Sequence, residues 1–268
     1  MPLSSADFPK SAAVIPRLLV VESTGSTNAD LVAAVTEAPD AWPHLSAVVT
    51  DDQRSGRGRL NRSWTAPPGS ALAVSLVVRT TGIPTESLGW IPLIAGVAMA
   101  DAIAEQLMGR VVAVKWPNDV LLDGLKISGI LAELVGDVVV VGAGVNTSMA
   151  RSDLPVPTAV SFAAIGRTAD QDELLARYVI RLRALLDVLS AAEGDAEASG
   201  IAEVVTQCCA SLNTYVRVLL PGGAGRAASD ADVLEGRAVR IGSVGELVVK
   251  TESGHEHAVT AGDVVHVR

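Results

Sequence analysis

The chain is poor in aromatic residues and in cysteine. Phe, Trp and Tyr make up 3% of its 268 residues, although 49% of the residues are apolar, so Ala, Val, Leu and Ile must build the core. The two cysteines, Cys208 and Cys209, are adjacent. One adjacent pair cannot form the disulfide framework of a small secreted domain, and it indicates reduced thiols in a cytoplasmic protein.

The sequence also lacks hydrophobic targeting segments and an excess of positive charge, which bears on its location and its partners. No uninterrupted apolar run approaches the ~20 residues that cross a bilayer, and residues 1–10 lack the basic and then apolar pattern of a secretion signal. The formal net charge is -9, whereas general nucleic-acid binders normally present a basic surface. We therefore expect a cytoplasmic location, with no membrane and no nucleic acid as partner.

Several common catalytic motifs are missing as well. The chain has no P-loop, no G-x-S-x-G nucleophile elbow and no Cys/His cluster with metal-ligand spacing. Residues 56–61 approach the dinucleotide fingerprint G-x-G-x-x-G, but Asn61 replaces the third glycine and no βαβ unit follows. No side chain stands out as a nucleophile supplied by an enzyme.

The apolar pattern predicts an α+β fold, in which helices flank a mixed sheet and a small all-β barrel follows. Hairpin signals such as Asp123-Gly124 favour α+β over a doubly wound sheet, and after Cys209 short strands alternate with Gly, Asp and Ser turns. We divide the chain into a loose N-terminal tail (1–16), a larger domain (17–210) and the barrel (211–268). The predicted helices are 29–36, 90–108, 172–191 and 201–209, and the predicted strands are 17–21, 46–50, 71–79, 111–115, 119–122, 126–134, 138–145, 216–220, 238–241, 246–251, 257–260 and 264–267.

The most informative segment is the arginine loop, residues 56–64, with the sequence Gly-Arg-Gly-Arg-Leu-Asn-Arg-Ser-Trp. Its glycines let the backbone bend or close on a ligand, and its guanidinium groups suit phosphates and carboxylates. In an extended segment Arg57 and Arg59 point the same way, so together they can hold an acidic group and a phosphate. Trp64 is expected to anchor the C-terminal end of the loop. The pattern predicts a mobile cationic loop that encloses an anionic small molecule.

Two segments place lysines beside apolar strands. In the run Lys115-Trp116-Pro117-Asn118-Asp119, the last two residues can ligate Mg²⁺, bind a ribose or simply stabilise the turn. Lys126 opens an apolar strand in which Gly129 leaves room beside it, although a lone lysine at a strand start is usually just exposed.

A third segment has small residues at alternate positions of a buried strand. Gly142 and Gly144 let either a flat ligand or a packed helix approach the sheet. Asn146 follows at the strand end, where its amide can hydrogen-bond a base or a phosphate.

Taken in order along the chain, these motifs resemble those of biotin–protein ligases. The resemblance covers residues 17–268 and implies a catalytic domain of the class II synthetase-like, biotin–lipoate ligase-like type with an SH3-like C-terminal barrel. The matching segments are Ser26-Thr27-Asn28, Gln53 before the arginine loop, Trp64, Lys115-Trp116-Pro117-Asn118-Asp119, Lys126 with Gly129, and Gly142-x-Gly144-x-Asn146.

The resemblance implies a two-step reaction. Biotin and Mg-ATP give biotinyl-5'-adenylate and pyrophosphate, and biotin then passes to a lysine of a biotin carboxyl carrier domain of acetyl-CoA carboxylase or a related carboxylase. The implied catalytic residues are Arg57, Arg59 and Lys126. The implied biotin-binding residues are Ser26, Thr27, Asn28, Gln53, Arg57, Gly58, Arg59, Lys126, Gly129, Gly142 and Gly144. The implied nucleotide-binding residues are Arg62, Trp64, Lys115, Asn118 and Asn146, with Asp119 as the metal ligand.

Two other readings of the same motifs stay open: a lipoate–protein ligase of the same fold, and a non-catalytic biotin sensor. The arginine loop and the 115–119 turn favour biotin, and the combination of Arg57 and Arg59 with Lys126 favours catalysis. Asn61 stands where the family commonly has glycine, but Asn tolerates left-handed backbone, so we expect the loop to function. Only about 16 residues precede the first predicted strand, so we expect no DNA-binding domain.

Overall fold

A computed structural model of the chain describes residues 3–220 and 233–266. Its larger part is built on a mixed sheet, as predicted. The strands are β1 (Leu18–Val20), β2 (Ala47–Thr50), β3 (Gly56–Arg57), β4 (Ser63–Trp64), β5 (Ala71–Arg79), β6 (Val112–Lys115), β7 (Asp119–Leu122), β8 (Leu125–Val135) and β9 (Val138–Asn146). Seven of them form one sheet in the order β1-β2-β5-β9-β8-β7-β6, while β3 and β4 pair separately. Only β1 and β2 are parallel neighbours in the large sheet, and its other pairs are antiparallel.

The helices are α1 (Pro9–Val14), α2 (Thr27–Glu37), α3 (Trp90–Gln106), α4 (Gln171–Ala191) and α5 (Ile201–Cys208). Three of them (α2, α3 and α5) contact this sheet, and the other two (α1 and α4) pack on helices. The Oγ atom of Ser26 accepts a hydrogen bond from the backbone N–H of Ala29 at 3.4 Å, and Ser26 thereby caps the start of α2. Within the described residues, only the helical stretch 85–106 is long and apolar enough to cross a membrane; 72% of its most apolar window is buried, as in the core helix of a globular protein.

The expectation of a loose tail over residues 1–16 is wrong where the structure describes that segment. Phe8 is 1% exposed, and α1 packs on α4. Asp172 accepts hydrogen bonds from the backbone N–H groups of Lys10 (2.9 Å) and Ser11 (2.8 Å). A carboxylate at a helix N-terminus satisfies donors that have no partner within the helix. The segment is thus held by a residue that follows it by about 160 positions.

The three middle strands of the large sheet, β5, β9 and β8, place several small residues side by side. Strand β5 is buried along all but its last residue, and its register with β9 pairs Ser75 with Gly142. The register of β8 with β9 pairs Leu131 with Gly142 and Gly129 with Gly144. Because side chains alternate along a strand, these positions face one side of the sheet together.

The C-terminal part is a five-stranded antiparallel sheet, consistent with the predicted barrel. Its strands are β10 (Tyr215–Leu219), β11 (Val233–Ile241), β12 (Leu247–Lys250), β13 (Glu256–Val259) and β14 (Asp263–His266), in the order β13-β12-β11-β10-β14. Val267, the end of the last predicted strand, lies outside the described residues.

Two tryptophans of the larger part connect it to the C-terminal sheet. The indole N–H of Trp90 donates to the carbonyl of Ser243 at 2.9 Å, and that of Trp116 donates to the carbonyl of Gly245 at 3.0 Å. The Ser211 hydroxyl lies at the junction, because it accepts from the Trp116 backbone N–H (3.1 Å) and contacts Nε2 of His266 (3.1 Å). The domain boundary at residues 210/211 stays a prediction.

Candidate active site

An open cleft lies over the middle strands of the large sheet. Its empty volume is about 810 Å³, including the space at its mouth, which is the size of a typical small-molecule site. The predicted site residues that line it are Ser26, Thr27, Asn28, Gln53, Arg57, Gly58, Arg59, Arg62, Trp64, Asn118, Asp119, Lys126, Gly129, Gly142 and Gly144. Lys115 and Asn146 are the two predicted residues outside this lining.

One end of the cleft is a hydrogen-bonded polar cluster at the start of α2. The backbone N–H and the hydroxyl of Thr27 both lie within hydrogen-bond distance of Gln53 Oε1, at 2.9 and 3.0 Å. Ser75, buried on β5, places its hydroxyl 2.8 Å from Thr27 Oγ1 and 2.5 Å from Asn28 Oδ1. The Asn28 amide nitrogen donates to Glu133 Oε2 at 2.7 Å. This end can therefore recognise a ligand that carries both hydrogen-bond donors and acceptors.

The two glycines of β9 make room for protein side chains at the cleft floor. A Cβ atom on Gly142 would lie 2.2 Å from Asn28 Oδ1, and one on Gly144 would lie 2.6 Å from the Trp64 indole. No larger residue fits at either position without moving its neighbour. Here the two glycines admit Asn28 and Trp64, which in turn form the walls of the cleft.

The arginine loop forms a short hairpin over the cleft. Gly56 pairs with Trp64 in β3 and β4, and the turn between these strands contains Leu60 at φ 55°, in the left-handed region. The left-handed residue of the turn is thus Leu60, a non-glycine residue for which that conformation is uncommon. The mobility expected of this loop stays a prediction.

In the structure Arg57 and Arg59 contact separate parts of the protein, whereas the prediction is that they point the same way and together hold an acidic group and a phosphate. Arg57 Nη2 lies 3.1 Å from Glu133 Oε2. Arg59 Nη1 donates to Asn118 Oδ1 at 3.2 Å and to the Gly262 carbonyl at 3.3 Å. A 3-10 turn begins at Arg59 and ends the strand alternation on which the prediction rested.

Lys126 forms the cationic centre of the cleft with an acidic partner. Its Nζ atom lies 2.5 Å from Asp119 Oδ1, and a Cβ atom on Gly129 would lie only 3.3 Å from that Nζ. The absence of a side chain at Gly129 therefore leaves the space that the lysine occupies. Burial lowers the pKa of nearby Lys115; the Asp119 charge opposes this shift, while the Lys126 charge adds to it.

The two predicted asparagines are engaged with the protein. Asn118 donates through Nδ2 to the Ile130 carbonyl at 2.8 Å and accepts from Arg59 through Oδ1. Asn146 is 8% exposed and donates through Nδ2 to the Val160 carbonyl at 3.0 Å. In this structure their amides therefore hold a strand and a loop beside the cleft.

Comparison with known proteins identifies the family. The biotin/lipoate A/B protein ligase family matches residues 20–146. The biotin–[acetyl-CoA-carboxylase] ligase of Mycobacterium tuberculosis is 35% identical over 255 residues, which span 94% of this chain and 90% of that protein. The chain belongs to the biotin/lipoate A/B protein ligase family. The bifunctional ligase/repressor BirA of Escherichia coli is 32% identical over 66% of this chain, a match that covers 54% of that longer protein.

Solved structures of the family support the same assignment across the whole fold. The biotin protein ligase from Aquifex aeolicus in complex with biotin and ATP has a TM-score of 0.74 and 25% identity, covering 95% of this chain and all of that one. The ligase from Leishmania major in complex with biotinyl-5-AMP has a TM-score of 0.62 at 25% identity. The predicted biotin–lipoate ligase-like fold is confirmed.

The residues of the cleft fit the magnesium ion that accompanies ATP in many enzymes. Mg²⁺ is commonly held by one or two carboxylates together with substrate phosphates, rather than by a cage of protein ligands. Asp119 supplies one carboxylate, and in the described parts of the chain no group of three or more His, Cys, Asp or Glu residues forms a cage. Asp119 would hold the ion, which would supply positive charge to the phosphates.

Sequence reasoning missed two acidic residues of this family member. Glu133 on β8 contacts both Asn28 and Arg57. Asp263 of the C-terminal sheet lines the cleft and forms an ion pair with Arg62. A lone acid within the apolar strand 125–135 was a usable signal for Glu133. No local pattern marks Asp263, because its partner lies about 200 residues earlier.

Proposed function

We propose that the chain activates biotin with ATP to give biotinyl-5'-adenylate and pyrophosphate, and then transfers biotin to a lysine of a biotin carboxyl carrier domain. One observation carries this proposal: Arg59 and Lys126 line the cationic end of a single cleft, and the polar cluster around Asn28, with Arg57 beside it, lines the other end. A carboxylate and a polyphosphate can meet at the cationic end while a polar ring system binds at the other.

The adenylation step requires positive charge around the reacting groups rather than a nucleophile from the protein. A carboxylate that attacks the α-phosphorus of ATP brings two anions together, and the negative charge must be offset in the transition state. Lys126 is suited to meet the biotin carboxylate and the developing phosphoester, with Arg59 beside it and Arg57 toward the Asn28 cluster. Holding both substrates in one orientation lowers the barrier further. No covalent enzyme intermediate is required, which agrees with the lack of a nucleophile motif.

The product of the first step is a reactive mixed anhydride, and water would destroy it. The arginine loop covers the cleft and contacts the C-terminal sheet through Arg59 and Gly262. A closed loop excludes water until the acceptor arrives. We propose that this retention, rather than substrate capture alone, is the role of Arg59.

The remaining site residues divide between the two substrates. We assign Ser26, Thr27, Asn28 and Gln53, with Gly58, Gly129, Gly142 and Gly144, to the biotin end. Arg62, Trp64 and Lys115 are assigned to the nucleotide, and Asp119 to its metal ion. Asn118 and Asn146 are assigned to the same end as supports, since the first holds Arg59 and the second holds the Val160 segment.

For the acceptor we propose the biotin carboxyl carrier domain of acetyl-CoA carboxylase or a related carboxylase. The support is the name of the Mycobacterium tuberculosis relative, which is a biotin–[acetyl-CoA-carboxylase] ligase. We also propose a cytoplasmic location, for which the free thiols of Cys208 and Cys209 are the physical argument.

Pyrophosphate release tests the proposal directly. We expect ATP with biotin to release pyrophosphate, ATP with lipoate to release none, and Lys126→Ala to lose the activity while remaining folded. Lys250→Ala, which removes an exposed lysine of the C-terminal sheet, is the matched control and should retain it. Release with lipoate alone would instead establish a lipoate ligase, and biotin binding without release would establish a sensor.

A further inference from the structure

Glu133 connects two parts of the cleft through one carboxylate oxygen. Its Oε2 atom accepts from the Asn28 amide nitrogen at 2.7 Å and from Arg57 Nη2 at 3.1 Å. Asn28 belongs to the polar cluster at the start of α2, and Arg57 belongs to the arginine loop. One carboxylate oxygen thus joins the polar cluster of the cleft to the arginine loop.

The contact with Glu133 decides which way the Asn28 amide faces. A carboxylate only accepts hydrogen bonds, so the group facing it must be the amide nitrogen. The second N–H of that nitrogen points to the Leu131 carbonyl at 3.3 Å. Oδ1 then faces the sheet, where it accepts from the Ser75 hydroxyl and packs against Gly142. The Glu133 contact therefore sets the direction of the Asn28 amide and of the Ser75 hydroxyl that donates to it.

We propose that Glu133 is a positioning residue of the biotin site: it fixes the Asn28 amide and the Ser75 hydroxyl that donates to it, and it holds Arg57, and with it the arginine loop, beside the same polar cluster. The inference rests on the proposed function for the identity of the ligand. Its action is indirect, through Asn28 and through Arg57, because Glu133 itself is not among the residues that line the cleft.

The exposure of the ion pair separates this role from a structural one. The side chains of Arg57 and Glu133 are 47% and 27% exposed, and ion pairs of this kind add little to fold stability. Glu133→Gln should therefore shift Tm by no more than about 3 °C. The same change replaces the carboxylate by an amide that can also donate, so Asn28 is free to flip and Arg57 loses its anchor.

The expected effects fall on two different measurements. Glu133→Gln should weaken biotin binding by roughly ten- to a hundredfold, the range for loss of a hydrogen bond to a charged group, and should speed hydrolysis of the retained adenylate. The KM for ATP should stay within about twofold, because neither contact of Glu133 faces the proposed nucleotide end. Glu235→Gln, which breaks the exposed pair with Arg217 in the C-terminal sheet, is the matched control and should change none of these values.

Double-mutant cycles test the pathway of action. In an Asn28→Ala background the effect of Glu133→Gln on biotin Kd should largely disappear, and in an Arg57→Gln background its effect on adenylate hydrolysis should disappear. Full additivity in both backgrounds would overturn the inference, as would an unchanged biotin Kd in the folded Glu133→Gln protein. Should Glu133→Gln fail to fold, Glu133→Asp carries the same cycles, since it keeps the charge but shortens its reach.

The controls separate this inference from the proposed function. If the wild-type chain releases pyrophosphate with lipoate and not with biotin, the proposed function fails whatever Glu133 does. If the wild-type chain uses biotin and Glu133→Gln behaves like it, only the positioning role fails.

Discussion

Gly142→Ala offers the sharpest test of how the cleft floor is built. A Cβ atom at this position would lie 2.2 Å from Asn28 Oδ1 and 2.9 Å from its Cγ, whereas ordinary contacts begin near 3.4 Å. The Asn28 side chain must therefore retreat by roughly 1 Å. Because it is hydrogen-bonded to both Ser75 and Glu133, a displacement of this size removes at least one of these bonds.

The expected change in biotin Kd depends on which hydrogen bond Asn28 loses. A hydrogen bond to a charged group contributes about 1.5–3 kcal/mol, and a neutral one about 0.5–1.5 kcal/mol. If the Glu133 contact is lost, the biotin Kd measured by isothermal titration should rise at least about tenfold, since tenfold corresponds to about 1.4 kcal/mol. The displacement arises at a helix start and not within a strand, so the protein should remain folded.

The control for this variant is Gly25→Ala. A Cβ atom on Gly25 would meet nothing within 4 Å, so the same chemical change adds no clash there. Thermal unfolding of both variants reports whether either change harms the fold. An unchanged biotin Kd in folded Gly142→Ala would refute the view that Asn28 must occupy the space above Gly142.

Three further predictions concern the loop, the thiols and pH. Arg59→Ala should release or hydrolyse the adenylate faster, because this guanidinium ties the loop to the Gly262 carbonyl; single-turnover trapping measures the rate, and an unchanged rate would count against the role. Burial raises the pKa of Cys208 to about 11, so only about 0.1% is thiolate at pH 8, and iodoacetamide should label the native thiol far more slowly than the urea-unfolded one. Burial lowers the pKa of His44, so below about pH 6.5 the unfolded state binds more protons and the free energy of unfolding should rise with pH up to that point; an equal slope in His44→Gln would contradict this.

The elements that sequence reasoning placed well are those with strong local signals. Strands β5 and β7 have the predicted bounds, since an unbroken apolar run bounded by turns leaves few alternatives. The turn between β7 and β8 contains Asp123 at φ 48° and Gly124 at φ 81°, the left-handed pair that the Asp-Gly signal predicts. Here the backbone preference of two residues decides the register of a hairpin.

The features that escaped prediction depend on residues distant in sequence. Helix α1 has only six residues, too few to be stable alone, and it forms because Phe8 is buried and Asp172 caps its start. Glu133 gained a role only when the fold brought Asn28 and Arg57 to the same oxygen. Sequence motifs therefore identify the residues that contact ligands more readily than the residues that orient those side chains.

The indole contacts of Trp90 and Trp116 have a consequence for the unity of the molecule. Each indole N–H donates to a carbonyl in the turn between β11 and β12. Separating the two parts would therefore break two hydrogen bonds, each of which contributes about 0.5–1.5 kcal/mol, and would bring two buried indoles into water. Contacts between the two parts thus contribute to the stability of the whole chain. Removing or exchanging the C-terminal sheet would expose apolar surface of the larger part at Trp90 and Trp116.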